Sequence, residues 1–141
     1  MLLRTLTYLF LALACALPLR AEDRGVAEGV TLLMVEQIGC HYCQDWHEKI
    51  GPAYPKTAEG AFAPLHSVMI SADPPEGVEY ARPVLFTPTF LLLEDGTEIG
   101  RIEGHPGEDF FWGLLEMMLK DKTGFTGAED TGTEDKRPEI N

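Results

Sequence analysis

Two different spacings of apolar residues mark the beginning of the folded part of the chain. Residues 30–35 are a largely apolar run of strand length, and Gln37-Ile38-Gly39 turns the chain out of it. From His41 to Ile50, apolar and aromatic side chains recur every three to four residues, which predicts a helix with one packed side. The chain is therefore predicted to run from a buried strand through a short turn into an amphipathic helix.

The rest of the chain continues with strands and helices. The run Phe90-Leu91-Leu92-Leu93 has no polar break, which is typical of a strand that is buried on both faces. Asp95-Gly96 follows it as a hairpin signal, so the next strand is expected to pair back with it. Residues 72–86 are rich in proline and charge and predict a loop with at most one helical turn, near Tyr80. The other predicted elements are a short helix over 58–63, strands over 65–71, 89–94 and 98–103, and an amphipathic helix over 108–119.

This order of elements predicts one small α/β domain over residues 22–120. A parallel strand–helix–strand unit comes first and an antiparallel hairpin second, which gives a mixed four-stranded sheet flanked by helices, with helices on both faces. From Asp121 onward the sequence is glycine, threonine and charge with one aromatic residue, Phe125. We expect residues 121–141 to form a disordered acidic tail.

Residues 1–21 have the composition of a secretory signal peptide. Arg4 precedes an apolar stretch that is too short to span a bilayer comfortably, and Ala21 is a small residue before an acidic segment. We expect export and cleavage after Ala21. An uncleaved membrane anchor is the alternative, and a lipoprotein signal at Cys15 is a weaker one. Cleavage would remove Cys15 and leave two cysteines in the exported chain.

The charge balance narrows the range of partners. The chain has 23 acidic and 11 basic residues, a formal charge of −12, and loss of the two arginines in the signal would bring it to −14. Such a surface repels nucleic acid and anionic lipid, so neither is an expected partner. A single cysteine pair in a small exported domain also favours redox chemistry over a disulfide scaffold.

Cys40 and Cys43 are the strongest candidates for catalysis. They are spaced to close a small disulfide ring, and they stand where the first predicted helix begins. Unpaired backbone N–H groups and the positive end of the helix dipole stabilise a thiolate there. We expect Cys40 to be the exposed attacking thiolate and Cys43 to be the buried resolving thiol. His41 and Tyr42 are expected to tune the site, since a histidinium beside Cys40 favours its thiolate.

A static disulfide and a metal site are the alternatives to redox chemistry. The static disulfide is disfavoured because so short a loop constrains the unfolded chain little. A metal site would use Cys40, Cys43 and His47 with His41 as a fourth ligand, but no second cysteine pair accompanies them. Haem attachment requires a histidine directly after the second cysteine, where Gln44 stands. We therefore expect no metal and no other cofactor.

Thr87-Pro88 comes directly before the strand that is predicted to be buried on both faces. A cis bond at such a proline would leave backbone groups free for an incoming peptide. From the residues alone an ordinary trans turn is expected, since few X–Pro bonds are cis. Thr87 and Pro88 are candidate substrate-binding residues if the bond is cis, since the Thr87 backbone would then be free to pair with a substrate strand. His47, His66 and His105 are expected to be structural or surface residues.

The cysteine pair, the Thr-Pro before a hairpin and the closing helix together resemble the thioredoxin fold. More narrowly, the chain is similar to the SoxS-like thioredoxins encoded with bacterial sulfur-oxidation systems. The resemblance implies a cis-proline at Pro88, beside the cysteines, and a periplasmic location. The matching stretches cover nearly all of residues 30–119 and are 34–43, 52–57, 87–90, 99–104 and 106–112.

The resemblance also implies partners for the cysteine pair. Proteins of this kind are implied to reduce a blocked cysteine of a sulfur-carrying protein, with electrons from a membrane thiol transporter of the CcdA/SoxV kind. Compared with cytosolic thioredoxins, Gly39 replaces a tryptophan and His41-Tyr42 replaces Gly-Pro. Met34 stands where thioredoxins carry a buried aspartate, and Glu36 is the nearest carboxylate.

Three functions follow from these observations. The first is a periplasmic thiol–disulfide oxidoreductase that reduces a protein disulfide through Cys40 and Cys43. The second is a disulfide oxidase or isomerase of the Dsb class, favoured by His41 and the oxidising compartment. The third is a metal-binding module that would use both cysteines and His47.

Overall fold

The structure is a computed structural model and describes residues 25–127. The predicted signal peptide and residues 128–141 of the predicted tail lie outside this range. No helix within it is both long and apolar enough to cross a bilayer. Its elements are β1 (Val30–Glu36), α1 (His41–Lys49), a turn of 3-10 helix (Tyr54–Lys56), α2 (Ala58–Phe62), β2 (Leu65–Met69), β3 (Thr89–Glu94), β4 (Thr97–Glu103) and α3 (Glu108–Lys122).

The four strands form one mixed sheet in the order β2-β1-β3-β4. β1 is parallel to β2 and antiparallel to β3, and β3 is antiparallel to β4. The predicted α/β class and the mixed four-stranded sheet are confirmed. The Asp95-Gly96 hairpin is also present, and both residues have positive φ, 48° and 79°, as a tight turn between twisted strands requires. A side chain at Gly96 would also strike the carbonyl oxygen of Gly77.

All three α-helices in residues 25–127 pack on one face of the sheet. Trp46 of α1 lies at the centre of this core and is fully buried. Its ring centroid is 5.2 Å from that of Phe90 on β3 and 5.5 Å from that of Phe111 on α3. This face is therefore held by aromatic contacts between two helices and the central strand. The buried core also includes Leu32, Met34, Cys43, Ile50, Tyr54, Ala63, Leu92, Ile102, Leu115, Leu119 and Phe125.

The opposite face of the sheet is covered by loop segments. Its buried side chains are Leu33, Val35, Leu91 and Leu93, and the partly buried residues packed against them are Val26, Val68, Ile70, Val78, Tyr80 and Val84. Within residues 25–127, this finding corrects the expectation of helices on both faces. The segment 72–86 has three prolines, which remove N–H donors and break helices, so it covers the sheet in an irregular conformation. The predicted loop over 72–86 has no helical turn near Tyr80, where Glu79 forms an isolated bridge with Thr97.

Phe125 extends the folded domain beyond its predicted end at residue 120. Helix α3 continues to Lys122, and the Phe125 side chain is 7% exposed. Its ring centroid is 5.1 Å from that of Phe62, and its N–H donates to the hydroxyl of Thr123 at 3.2 Å. Residues 121–127 therefore belong to the domain, because one buried aromatic side chain anchors a segment whose other residues are polar or glycine.

Replacing Phe125 with alanine is expected to lower the free energy of unfolding by about 3 kcal/mol, the lower end of the range for a buried phenylalanine. The matched control is Phe110→Ala on α3, where the side chain is 71% exposed and the expected change is within about 0.5 kcal/mol. Urea unfolding of the two variants and the unmodified protein measures both effects. Equal stability of the two variants would show that Phe125 does not anchor the segment.

Candidate active site

One end of the sheet brings together three parts of the chain that are distant in sequence. In one row across the sheet, Val35 of β1 pairs with Thr89 of β3, and Thr89 pairs with Glu103 of β4. Because β3 is antiparallel to both neighbours, the chain leaves β1 and β4 at the end where it enters β3. The cysteine turn, the Thr87-Pro88 turn and the loop after β4 therefore lie at this same end.

Cys40 and Cys43 form a disulfide at the beginning of α1, with Cα atoms 5.2 Å apart. The preceding turn depends on Gly39, whose φ of +78° disfavours any residue with a side chain. Cys40 is the N-cap of α1, and its Sγ accepts a hydrogen bond from the N–H of Cys43 at 3.1 Å. In the reduced protein such a donor stabilises thiolate over thiol at Cys40.

The two sulfur-bearing residues differ in exposure. Cys43 is 2% exposed and belongs to the core around Trp46. Cys40 is partly exposed and packs against the edge of that core. A reagent from solution therefore meets Cys40 first, which is the arrangement that the predicted roles of the two cysteines require.

His41 and Tyr42 occupy the first turn of α1, and both side chains are exposed. Their ring centroids lie 5.8 Å apart, and Tyr42 is 61% exposed. Both residues therefore lie on the solvent side of the cysteine pair. From there they are placed to influence the Cys40 thiolate or to contact a partner. Their tuning role stays a prediction.

A cavity of about 510 Å³ opens next to the motif, and Tyr42 forms part of its wall. Thr87 lines it from the other side, and the Thr87–Pro88 peptide bond is cis. The carbonyl oxygen of Pro88 accepts a hydrogen bond from Gly104 N–H at 2.7 Å, which joins this turn to the loop after β4. The cavity is lined by Tyr42, Phe86, Thr87, Glu103, Gly104 and His105.

The side chain of His105, expected from the sequence to be structural or at the surface, is buried at this site. Its side chain is 2% exposed, and its Nε2 lies 3.1 Å from Oδ2 of Asp45 on α1. An ionised carboxylate only accepts hydrogen bonds, so Nε2 donates to Asp45. The other ring nitrogen, Nδ1, is buried and has no hydrogen-bond partner among residues 25–127. The hydrogen bond and charge of Lys49, with a smaller contribution from His105, hold the pKa of Asp45 below its usual value.

The Asp45–His105 contact therefore ties the active-site helix to the loop after β4. Only the topology could have placed His105 at the site. Gly104-His105 follows β4, and β4 ends at the same end of the sheet where β1 leads into the cysteines. That signal requires the strand order, which the sequence pattern alone leaves open.

The environment of Cys43 differs from the thioredoxin pattern. Met34 is fully buried in the core at the place where thioredoxins carry an aspartate. The Glu36 carboxylate lies 2.7 Å from Nε2 of His47, so its hydrogen-bond partner is on α1 and is neither cysteine. No group of three or more potential metal ligands is assembled anywhere in residues 25–127.

A disulfide that leads into a helix at the end of a mixed sheet is the arrangement of thioredoxin-type thiol–disulfide oxidoreductases, and this chain is one of them. Among solved structures, it is similar to the reduced form of the periplasmic thioredoxin SoxS from Paracoccus pantotrophus, with 49% sequence identity and a TM-score of 0.64. The match covers 64% of this chain and 96% of that one. The chain belongs to the family of SoxS-like thioredoxins. No protein-family model and no curated protein matches it.

The difference in exposure predicts unequal reactivity of the two thiols. In the reduced protein, iodoacetamide is expected to alkylate Cys40 at least about ten times faster than Cys43, because the Cys40 sulfur is accessible and its thiolate is stabilised by the helix N-terminus. Mass spectrometry of peptides after brief alkylation measures the ratio. The control is the reduced protein in concentrated urea, where both thiols should react alike. Faster alkylation of Cys43 in the folded protein would contradict the geometry.

Proposed function

We propose that this protein acts in the periplasm as a dithiol reductase of a protein disulfide, with Cys40 as the attacking and Cys43 as the resolving cysteine. The observation that carries the proposal is the unequal exposure of two cysteines that share one disulfide at a helix N-terminus. A partly exposed sulfur is accessible to a large substrate, and a buried one reacts only with its neighbour. This order of access is what a two-step disulfide exchange needs.

The proposed exchange has two steps. The Cys40 thiolate attacks a sulfur of the partner's disulfide, which forms a mixed disulfide and releases the other sulfur as a thiolate. Cys43, deprotonated, then attacks Cys40 Sγ, restores the Cys40–Cys43 disulfide and releases the partner's cysteine as a thiolate. Two electrons pass from the dithiol to the partner, so an external dithiol donor must reduce the protein again.

The surface around the cysteines supports a protein rather than a small molecule as the substrate. Four large apolar side chains are exposed on the segments that meet there: Ile38 is 90% exposed, Tyr42 61%, Leu85 72% and Phe86 60%. The backbone of Thr87, which follows Phe86, has no hydrogen-bond partner among residues 25–127. Thr87 and Pro88 are therefore proposed to bind an extended segment of the partner by backbone pairing, while the apolar side chains bury its flanks.

The location and the partners are inferred from family membership. The Paracoccus relative is a periplasmic thioredoxin, and the first 21 residues of this chain have the composition of a signal peptide. The proposed partner is a sulfur-carrying protein of a sulfur-oxidation system with its cysteine blocked as a mixed disulfide. The proposed electron donor is a membrane thiol transporter of the CcdA/SoxV kind.

An oxidase of the Dsb class is the second candidate, and one observation favours it. His41 is the first residue of α1 and directly follows Cys40. A histidinium in that position stabilises the Cys40 thiolate, which stabilises the reduced protein and makes the disulfide a stronger oxidant. The direction of electron flow therefore depends on how strongly His41 acts.

The Cys43→Ser variant tests the roles of the two cysteines. Reduced Cys43→Ser protein, mixed with a sulfur-carrier protein whose single cysteine is blocked by glutathione, is expected to accumulate a covalent complex through Cys40, since no resolving thiol remains. Non-reducing electrophoresis and mass spectrometry identify the complex and its linkage. The matched control, Cys40→Ser, should accumulate none. A complex linked through Cys43 in that control would reverse the assignment.

The reduction potential of the Cys40–Cys43 pair distinguishes the reductase from the oxidase. We expect a value near −270 mV, about that of thioredoxin, whereas about −120 mV would indicate an oxidase. Equilibration with glutathione or dithiothreitol buffers measures it. His41→Gln should lower the value by roughly 30 mV, which corresponds to about 1.4 kcal/mol of lost thiolate stabilisation. Tyr42→Gln, which removes no charge, should leave the value nearly unchanged.

A further inference from the structure

Strand β4 contains a β-bulge that changes which way its side chains point. Leu92 of β3 pairs with Gly100 and Leu93 pairs with Glu98, so Ile99 is an extra residue. In a regular strand, residues three apart point to opposite faces. Because of the bulge, Glu98 and Arg101 point to the same face although they are three residues apart. Glu98 pairs with Leu93 and Arg101 with Leu91, so both lie on the face that these leucines occupy. Both charged side chains therefore lie on the loop-covered face.

Glu98 and Arg101 form a buried bidentate ion pair there. Nε of Arg101 is 2.6 Å from Oε1 of Glu98, and its Nη2 is 2.7 Å from Oε2. The side chains are only 6% and 4% exposed. A pair this buried adds little net stability over apolar residues of the same size, because desolvation offsets the attraction. Its contribution is geometric: the two bonds to Glu98 fix the plane of the Arg101 guanidinium, which has further N–H groups to donate.

The remaining hydrogen-bonding groups of the pair hold the backbone of the loop that leads to the active site. Nη2 of Arg101 donates to the carbonyl oxygen of Arg82 at 2.9 Å, and Nη1 donates to that of Pro83 at 3.4 Å. From the other side, the N–H of Ala81 donates to Oε2 of Glu98 at 2.8 Å. Three consecutive residues of a segment without helix or strand are thus fixed to β4.

The held segment ends at the proposed substrate-binding surface. Leu85 and Phe86 follow it with exposed side chains, and Phe86 and Thr87 line the cavity next to Tyr42. The distance along the chain from Pro83 to Thr87 is four residues, so a shift of the anchored backbone is transmitted to the Thr87 backbone group. The ion pair therefore fixes the loop on the Pro83 side of the recognition surface, and the hydroxyl of Thr89, which donates to the carbonyl oxygen of Phe86 at 2.8 Å, fixes it on the other side.

We propose that Glu98 and Arg101 are positioning residues for substrate recognition, which set the place of Leu85, Phe86 and Thr87 without touching the reacting sulfurs. This inference rests on the proposed function as a reductase of protein disulfides. The pair acts on binding of an extended partner. A small disulfide, which reaches Cys40 without backbone pairing, does not depend on it.

The test compares two disulfide substrates in two variants and a control. The probes are Ellman's reagent and a ten-residue peptide whose central cysteine carries thionitrobenzoate; release of thionitrobenzoate is measured with reduced protein. Arg101→Lys keeps the charge and loses the fork, and Glu98→Gln keeps the shape and weakens the pair. The matched control, Arg82→Gln, removes the exposed ion pair to Glu103 and leaves the carbonyl that Arg101 binds.

In single turnover with reduced protein, both variants are expected to lower the second-order rate constant for the peptide about tenfold, mainly by raising the half-saturating peptide concentration, and to leave the rate with Ellman's reagent within about twofold. Arg82→Gln should change neither rate more than about twofold. Hydrogen exchange of the Ala81 amide gives an independent readout and should become faster in Glu98→Gln. Circular dichroism verifies that the variants fold. If Arg101→Lys does not fold, the peptide kinetics and the Ala81 exchange of Glu98→Gln together decide the question.

Three results would overturn the inference: an unchanged half-saturating peptide concentration in folded variants, equal losses with both substrates, or unchanged exchange at Ala81. Failure of the proposed function is a different result. In that case the unmodified protein would reduce Ellman's reagent and leave the peptide disulfide intact. The two failures are therefore distinguished by the unmodified protein alone.

Discussion

The antiparallel pairing of β3 with both of its neighbours is the constraint on which the site depends. Since β1 and β4 both end where β3 begins, one row of the sheet, Val35–Thr89–Glu103, fixes the distance between three connecting segments. The strand is held in that row by burial on both faces, with Phe90 and Leu92 on the helical side and Leu91 and Leu93 on the other. A change of one residue in the register of β3 would move its side chains to the opposite faces and displace the connecting segments from one another. The pairing register therefore determines both the fold and the site.

The two faces of the sheet carry different parts of the function. On one face, α1 presents the cysteines and is fixed by Trp46 among aromatic rings, so the redox centre rests on a core of packed aromatic side chains. On the other face, a proline-containing loop replaces a helix and leads to the apolar residues around the cavity. The cysteines and the proposed recognition surface are thus supported by separate packing layers that meet at the end of the sheet.

Periodicity predicted the strands, the helices and the position of the cysteine pair at a helix start. Each of these depends on local pattern: the unbroken apolar run of β3, the Asp95-Gly96 turn and the 3–4 spacing of α1. Three features escaped it because they depend on distant contacts. Phe125 belongs to the domain through its contact with Phe62, His105 reaches the site through Asp45, and the extra residue in β4 is visible only from its partner strand. Which face a helix covers is likewise a property of the assembled sheet.

The anchoring of the loop has a consequence for how sequences of this kind can diverge. Arg101 and Glu98 bond to a carbonyl of Arg82, a carbonyl of Pro83 and the N–H of Ala81, which are main-chain atoms that almost any residue supplies. Exposed side chains further along, such as Leu85 and Phe86, are therefore free to be exchanged while the path of the loop is retained. A lineage that keeps the bulge and the ion pair has a way to acquire new partners by a few surface substitutions and to retain its redox centre unaltered.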